Sequence, residues 1–294
     1  MNFNHLEYAL AVAKYGSISK ASQNLFMSQP YLSSMIKNLE AEVGYQIFDR
    51  TSSGIVLTKE GEQFMKSARI ILLELKKMKE LNIGGEEKQL NISCYYATFI
   101  MEMFLKFCNA AQNKLPDKIK EMGNEEVMES VLAGESTMGI IFYAQKKQDI
   151  YEAMAKEYGL YMKELIKPMN TYAVLSKCHP LAVHAALSIR DLNTYPYVSY
   201  DDASSKKYLK LLGIEDHPLL LEVSDRGSFY DALKSGQYLS VMAFRSAPEQ
   251  EWLTILPFRD KKLLLNSSYV TAPNHQLTRR EKAFLSFVKS GGKI

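Results

Sequence analysis

The stretch GSISKASQNLFMSQPYLSSMIKNLEAEVGYQIFDRTSSGIVLTKEG, residues 16–61, decides how the N-terminal part of the chain reads. Just before it, Leu6, Leu10 and Ala13 recur at helical spacing, and Gly16 ends that run. Ser17 or Ser19 can cap a short second helix that turns Ala21 and Leu25 inward. Ser28 caps a third helix, predicted to run through Leu39 to about Val43, with Leu32, Met35, Ile36 and Leu39 as its buried stripe and Gly44 as its stop. Only Phe26 and Met27 separate Leu25 from Ser28, a gap that suits the tight turn of a helix-turn-helix. Further on, Ile47-Phe48-Asp49-Arg50 and Ile55-Val56-Leu57-Thr58 read as two short strands around Thr51-Ser52-Ser53-Gly54, a small hairpin or wing.

The third helix opens at Ser28, Gln29 and Pro30 and turns Gln29, Tyr31, Ser33, Ser34 and Lys37 outward. Short amides and hydroxyls of this kind read base edges in the major groove of double-stranded DNA, and Lys37 can hold a phosphate. Arg50, Ser52 and Ser53 of the wing are placed to rest on the sugar-phosphate backbone. An ordinary solvated face carries more Glu and Lys. Charge alone does not decide the matter. The net charge is only +3, and between residues 28 and 59 Lys37, Arg50 and Lys59 are offset by Glu40, Glu42 and Asp49. The arrangement of side chains is what points to DNA.

The same stretch resembles the winged helix-turn-helix of LysR-type transcription regulators almost element by element. The resemblance is carried by Gly16-Ser17, Ala21, Leu25, Ser28-Gln29-Pro30, Ser33, Ile36, Leu39-Glu40, Gly44, Phe48, Arg50, Leu57-Thr58 and Gly61. Departures are mild: Ala21-Ser22 stands where a pair of alanines is common, and the wing lacks a further arginine. Residues 1–58 are therefore expected to form a DNA-binding domain.

From Lys59 to about Leu81 no proline interrupts the chain, and Phe64, Ala68, Ile71, Leu75 and Met78 alternate at spacings of four and three. That is the seam of a helix packed along a partner helix. Gly84-Gly85 breaks it, so residues 59–85 read as a linker helix that joins two copies into a homodimer. The resemblance supports dimerisation there and implies a tetramer of two dimers. The other reading is a helix packed on its own domain.

Residues 86–294 alternate short strands with helices, which argues for parallel α/β sheets. Expected strands are 90–93, 118–122, 138–143, 171–176, 197–200, 219–223 and 239–244, with helices over 99–108, 127–133, 208–212 and 228–234. Thr278-Arg279-Arg280-Glu281 is a capping box opening a last helix with Phe284, Leu285 and Val288 inward. This region resembles the LysR effector domain, two α/β lobes hinged like a periplasmic binding protein. His179-Pro180-Leu181-Ala182 and Arg190-Asp191-Leu192 match marks of its second lobe, while the turn at Gly236 is reduced. In open α/β sheets ligands bind beyond the carboxyl ends of strands, against helix N-termini. On that ground Tyr96, Thr98, Asn124, Tyr200, Asp201 and Arg226 are the candidate contacts for a small-molecule effector. Hydroxyls, exposed amides and Arg226 suit a small anion. Asp201 and Asp202 equally favour a cationic or amine-bearing one.

Composition closes off other classes. With 47% apolar and 23% charged residues the chain reads as globular, and no apolar run approaches a membrane span. MNFNHLEYALAVAKYG has no basic segment before its apolar stretch, so a cytoplasmic protein with no membrane partner is expected. Three cysteines, Cys94, Cys108 and Cys178, with no CxxC spacing, argue against a disulfide framework or zinc site. Cys178 beside His179 would be reactive if an imidazolium lowered its pKa; otherwise it is an incidental loop residue. No GxSxG, HExxH, P-loop or Rossmann fingerprint is present, and no catalytic residue, metal or cofactor is expected. The alternative is a cytoplasmic α/β enzyme or ligand-binding protein with an accessory helical interaction domain.

Overall fold

The computed structural model describes residues 2–51, 54–80, 89–110, 115–244, 251–259 and 263–292. They form two compact units that divide between a long helix and the strand that follows it. The first unit contains α1 (Phe3–Tyr15), α2 (Ile18–Asn24), α3 (Gln29–Val43), β1 (Phe48–Thr51), β2 (Gly54–Leu57) and α4 (Lys59–Glu80).

Local chemistry sets these boundaries. Asn2, Ser17 and Ser28 accept hydrogen bonds from Asn4, Lys20 and Tyr31 N–H, so each of the first three helices starts on a polar cap, and Ser17 rather than Ser19 caps α2. Gly16 and Gly44 end α1 and α3 in the left-handed region, at φ +59° and +84°. Leu6, Ala9 and Val12 are the buried face of α1; Leu10 and Ala13 are half-buried at its border. The expected stripe is shifted by one position because α1 packs on α2, α3 and α4 at once. In α3, Leu32, Ile36 and Leu39 are buried and Met35 is half-buried. The Glu40 carboxylate is buried too, accepting from the N–H groups of Ile47 and Phe48 at 2.8 and 3.0 Å, which ties α3 to the hairpin. Phe64, Met65 and Ala68 of α4 join the same core.

The second unit runs β3 (Asn91–Cys94), α5 (Thr98–Ala110), β4 (Lys118–Glu121), α6 (Asn124–Leu132), β5 (Met138–Ala144), α7 (Gln148–Glu157), β6 (Tyr161–Ser176), β7 (Tyr197–Tyr200), α8 (Ala203–Leu212), β8 (Leu220–Val223), α9 (Arg226–Lys234), β9 (Leu239–Ala243), β10 (Leu253–Leu256), β11 (Leu264–Thr271) and α10 (Arg279–Ser290). Strand order is β4-β3-β5-β11-β6-β9-β7-β8, with β10 also on β6. The sixteen-residue strand β6 belongs to two lobes. Its first part pairs with β11, and from Thr171 onward it pairs with β9 and β10.

The sheet is mixed, which corrects the expectation of purely parallel pairing. β3, β4 and β5 are parallel, as are β7, β8 and β9, but β11 runs antiparallel to both β5 and β6. The strands β10 and β11, the helix α7 and the first half of β6 lie outside the strands and helices expected from the sequence. In β11 Asn266, Ser267 and Ser268 are polar, yet all three are buried. Distant partners reach each of them: Tyr143 Oη lies 2.9 Å from Ser268 Oγ, the Asn266 amide nitrogen donates to Gln148 Oε1, and Ser267 Oγ accepts from Ile166 N–H. The capping box of α10 forms as expected, and Phe284, Leu285 and Val288 are buried against β3 and β5 residues. Among the described residues no helix is long and apolar enough to cross a membrane.

Candidate functional site

In the first unit, Gln29, Pro30, Tyr31, Ser34 and Lys37 are exposed on α3, and Ser33 is partly exposed. The Ser28 hydroxyl is engaged as the helix cap, 3.4 Å from Tyr31 N. A groove bordered by Ser33, Lys37, Tyr45, Gln46 and Asp49 runs between α3 and the hairpin. Tyr45 and Gln46 are exposed there and were missed in the sequence, since they sit in a connection rather than on the helix. In the hairpin Arg50 pairs with Ile55 through the backbone. The side chain of Arg50, and Ser52 and Ser53, lie outside the described residues. So do Gly84 and Gly85 and the side chain of Met78. Along α4, Phe64 and Ala68 are consumed by the chain's own core, while Ile71 and Leu75 are half-buried. The first part of the seam therefore packs within the unit, as the alternative for that helix required.

In the second unit the two lobes enclose a cleft of about 540 Å³. Tyr95, Tyr96, Tyr151, Tyr200, Tyr208 and Phe229 dominate its walls. Tyr96 stacks on Tyr200 at 4.0 Å, and Tyr200 stacks on Phe229 at 4.7 Å, both within 9° of parallel. Burial pushes the Tyr95 and Tyr200 phenols well above their ordinary range, and Tyr197 up to about 12, so these rings stay neutral at physiological pH. Lys147, Lys207 and Lys210 also line the cleft; its described lining contains no Asp or Glu.

Contacts across the cleft hold the lobes together. Thr98 Oγ1 lies 2.7 Å from Tyr230 Oη, Tyr95 Oη lies 2.9 Å from Ser205 Oγ, and Tyr96 Oη donates to Ser224 O at 3.2 Å. Arg226, at the start of α9, makes a bidentate ion pair with Glu121 at the end of β4, with Nε 2.8 Å from Oε2. Lys207 of α8 pairs with Glu125 of α6.

Of the six effector candidates, the structure brings Tyr96, Thr98 and Tyr200 to the cleft. The other three are engaged elsewhere. Asn124 is fully buried and clamps β5, donating to Phe142 O at 2.6 Å and accepting from Phe142 N–H at 3.1 Å. Asp201 is exposed and pairs with Lys206 at 2.7 Å. Arg226 serves Glu121. The helix N-termini that were expected to receive an anion are filled by the chain's own carboxylates. Asp202 accepts from Ser204 and Ser205 N–H, Asp225 from Ser228 N–H, and Glu126 from Gly123 N–H. These Asp caps are local signals that the sequence already contained; the cross-lobe pairs, 82 to 132 residues apart, are not.

Cys178 is exposed and Cys94 and Cys108 are free. Burial holds His179 below the ordinary imidazole range, and its Nδ1 accepts from Leu181 N–H, so it presents no imidazolium to Cys178. No cluster of three potential metal ligands occurs among the described residues.

Comparison with known proteins follows this division. Residues 3–62 match the family described as "Bacterial regulatory helix-turn-helix protein, lysR family". The HTH-type transcriptional regulator AlsR of Bacillus subtilis is 27% identical over 205 residues, 68% of this chain and 64% of AlsR. The Hca operon transcriptional activator HcaR of Escherichia coli is 28% identical over 210 residues, 70% of this chain and 67% of HcaR. TfdT of Cupriavidus pinatubonensis is 30% identical over 145 residues, 47% of this chain and 63% of TfdT. The chain thus spans slightly under two thirds of the length of AlsR and TfdT. These relatives are named as regulators, not as enzymes. In fold, the chain is similar to a full-length OxyR variant from Pseudomonas aeruginosa, with TM-score 0.58 and 20% identity over 98% of this chain and 94% of that one. It is also similar to full-length CbnR in complex with its target DNA, with TM-score 0.54 and 19% identity over 99% of this chain and 100% of that one. A helix-turn-helix unit followed by a two-lobed α/β unit is the fold these solved structures share with the chain, and residues 3–62 are a helix-turn-helix domain of the bacterial lysR regulatory type.

Proposed function

We propose that this chain is a sequence-specific DNA-binding transcription regulator whose activity is modulated by a small molecule held in the interlobe cleft. The observation that carries the reading is the exposed face of α3, with Gln29, Tyr31, Ser33, Ser34 and Lys37, set in a helix-turn-helix of the family. In this reading residues 1–58 bind DNA, with Arg50, Ser52 and Ser53 on the backbone, and residues 86–294 bind the effector. Two lobes sharing β6 shift population when a ligand favours one arrangement, and differential binding of that kind is all that control requires. The expected setting is the cytoplasm.

Replacing Gln29 or Ser33 with Ala is expected to lower affinity for the operator by ~1–3 kcal/mol, read by gel shift on DNA from the protein's own promoter region. Unchanged affinity in both variants overturns the assignment. The linker helix, residues 59–85, is assigned to homodimer formation through its later positions, with a tetramer of two dimers as the family-like assembly. Lys at both Ile71 and Leu75 places charge on the seam, which is costly to bury, and should reduce the sedimenting mass. Because Ile71 also touches the chain's own core, Leu75→Lys alone is the control. A wild-type mass in both variants places the dimer contact elsewhere.

A further inference from the structure

The cleft selects a chemical class of ligand. Its walls are aromatic: besides the stack of Tyr96, Tyr200 and Phe229, Tyr143 lies on Tyr151 with centroids 4.8 Å apart and planes within 22°. Aromatic walls pack best on an apolar partner. Most polar groups on the lining are already committed. Thr98 holds Tyr230, Tyr95 holds Ser205, Tyr143 holds Ser268, and Ser240 donates to Val198 O. A ligand rich in hydroxyls would find few free partners and lose its hydration for little return.

Two features remain open to a ligand. The Tyr208 hydroxyl is buried without a hydrogen bond of good geometry, and Tyr208 lines the cleft. Thr171, the polar side chain beside it, donates instead to Leu263 O. The charge on the lining is of one sign: Lys147 on one lobe and Lys207 and Lys210 on the other, with Lys207 neutralised by Glu125. No lining carboxylate is present among the described residues to meet an ammonium group. The helix N-termini of α6, α8 and α9 are self-capped, so a negative charge on the ligand would be met by lysine rather than by backbone amides.

We infer that the cleft binds a predominantly apolar molecule carrying one negative charge, and that Lys147 and Lys210 are the residues that select for the charge. This rests on the cleft being the effector site. Amines, amino-acid zwitterions and sugars are expected to bind this cleft more weakly.

Three compounds of matched shape test it by isothermal titration against the full chain: 2-naphthoate, 2-naphthamide and 2-naphthylmethylamine. The acid is expected to bind about fivefold tighter than the amide, and the amine weakest, for two exposed lysines. In the variant with both Lys147→Met and Lys210→Met, the acid-to-amide ratio should fall below about threefold. Hydrogen exchange on the acid complex should show protection in segments 95–99 and 199–211. Amine binding equal to the acid, an acid-to-amide ratio unmoved by the double variant, or no binding of any of the three overturns the inferred class. Tight binding of the acid with protection confined to other segments instead overturns the cleft as the site.

Discussion

The ion pair between Arg226 and Glu121 joins the two lobes, and removing it should loosen their closure by a measurable amount. The side chains are 21% and 13% exposed, and the guanidinium meets the carboxylate with two nitrogens. Exposed pairs contribute ~0.2–1 kcal/mol, while deleting one partner of a fully buried pair costs ~3–5 kcal/mol. This pair lies between those limits, so Arg226→Met or Glu121→Gln should each cost about 1–3 kcal/mol, with a coupling of about 1–2 kcal/mol in the double-mutant cycle. The two groups stand on α9 and β4, on opposite sides of the cleft, so the coupling acts on the closed arrangement. A loss of about 1.4 kcal/mol would lower the closed-to-open ratio tenfold. Urea unfolding of the wild type, both single variants and the double variant measures the coupling, and hydrogen exchange over segments 95–99 and 199–205 measures closure. Coupling below about 0.5 kcal/mol, with cleft exchange as in the wild type, would refute the idea that this pair holds the lobes.

Two further outcomes follow from close packing and buried charge. A Cβ at Gly61 would run into the carbonyl oxygen of Ile47, a backbone atom that cannot swing aside. Gly61→Ala should therefore destabilise the N-terminal unit by at least about 2 kcal/mol in thermal unfolding, with operator binding reduced in parallel; a wild-type melting curve would contradict the packing. Asp117 and Glu281 are both held below the ordinary carboxylate range despite burial, Asp117 by its ion pair with Arg280 and its bond from Leu90 N–H, Glu281 by His275, Thr137 and Thr278. A carboxylate with a depressed folded pKa stabilises the fold above its ordinary range, and that contribution is lost as pH falls through the folded value. Stability should fall below about pH 4, and Asp117→Asn, which leaves Arg280 without its buried carboxylate, should cost about 3 kcal/mol at pH 7 while flattening that acid-side slope. An equally steep slope in the variant would show that other groups set the acid limit.

The helix-turn-helix is legible in the order of residues alone, because every signal there is local. Ser17 and Ser28 cap within three residues of themselves, Gly16 and Gly44 take left-handed backbone, and Leu32, Ile36 and Leu39 share one helix face. The capping box of Thr278 and Glu281 was legible for the same reason. Tertiary structure decided what depends on distant partners. A run such as Asn266-Ser267-Ser268 becomes a buried strand where Tyr143, Gln148 and Ile166 each take up one of its side chains. Phe64 and Ala68 fit a seam between chains equally well, until α1 is seen to cover them. Arg226 looked like a free cation at a strand end, and only the fold brings Glu121, 105 residues earlier, against it. Spacing along a chain shows which face a side chain occupies, but the neighbour that neutralises, stacks on or buries it is set by how the lobes close.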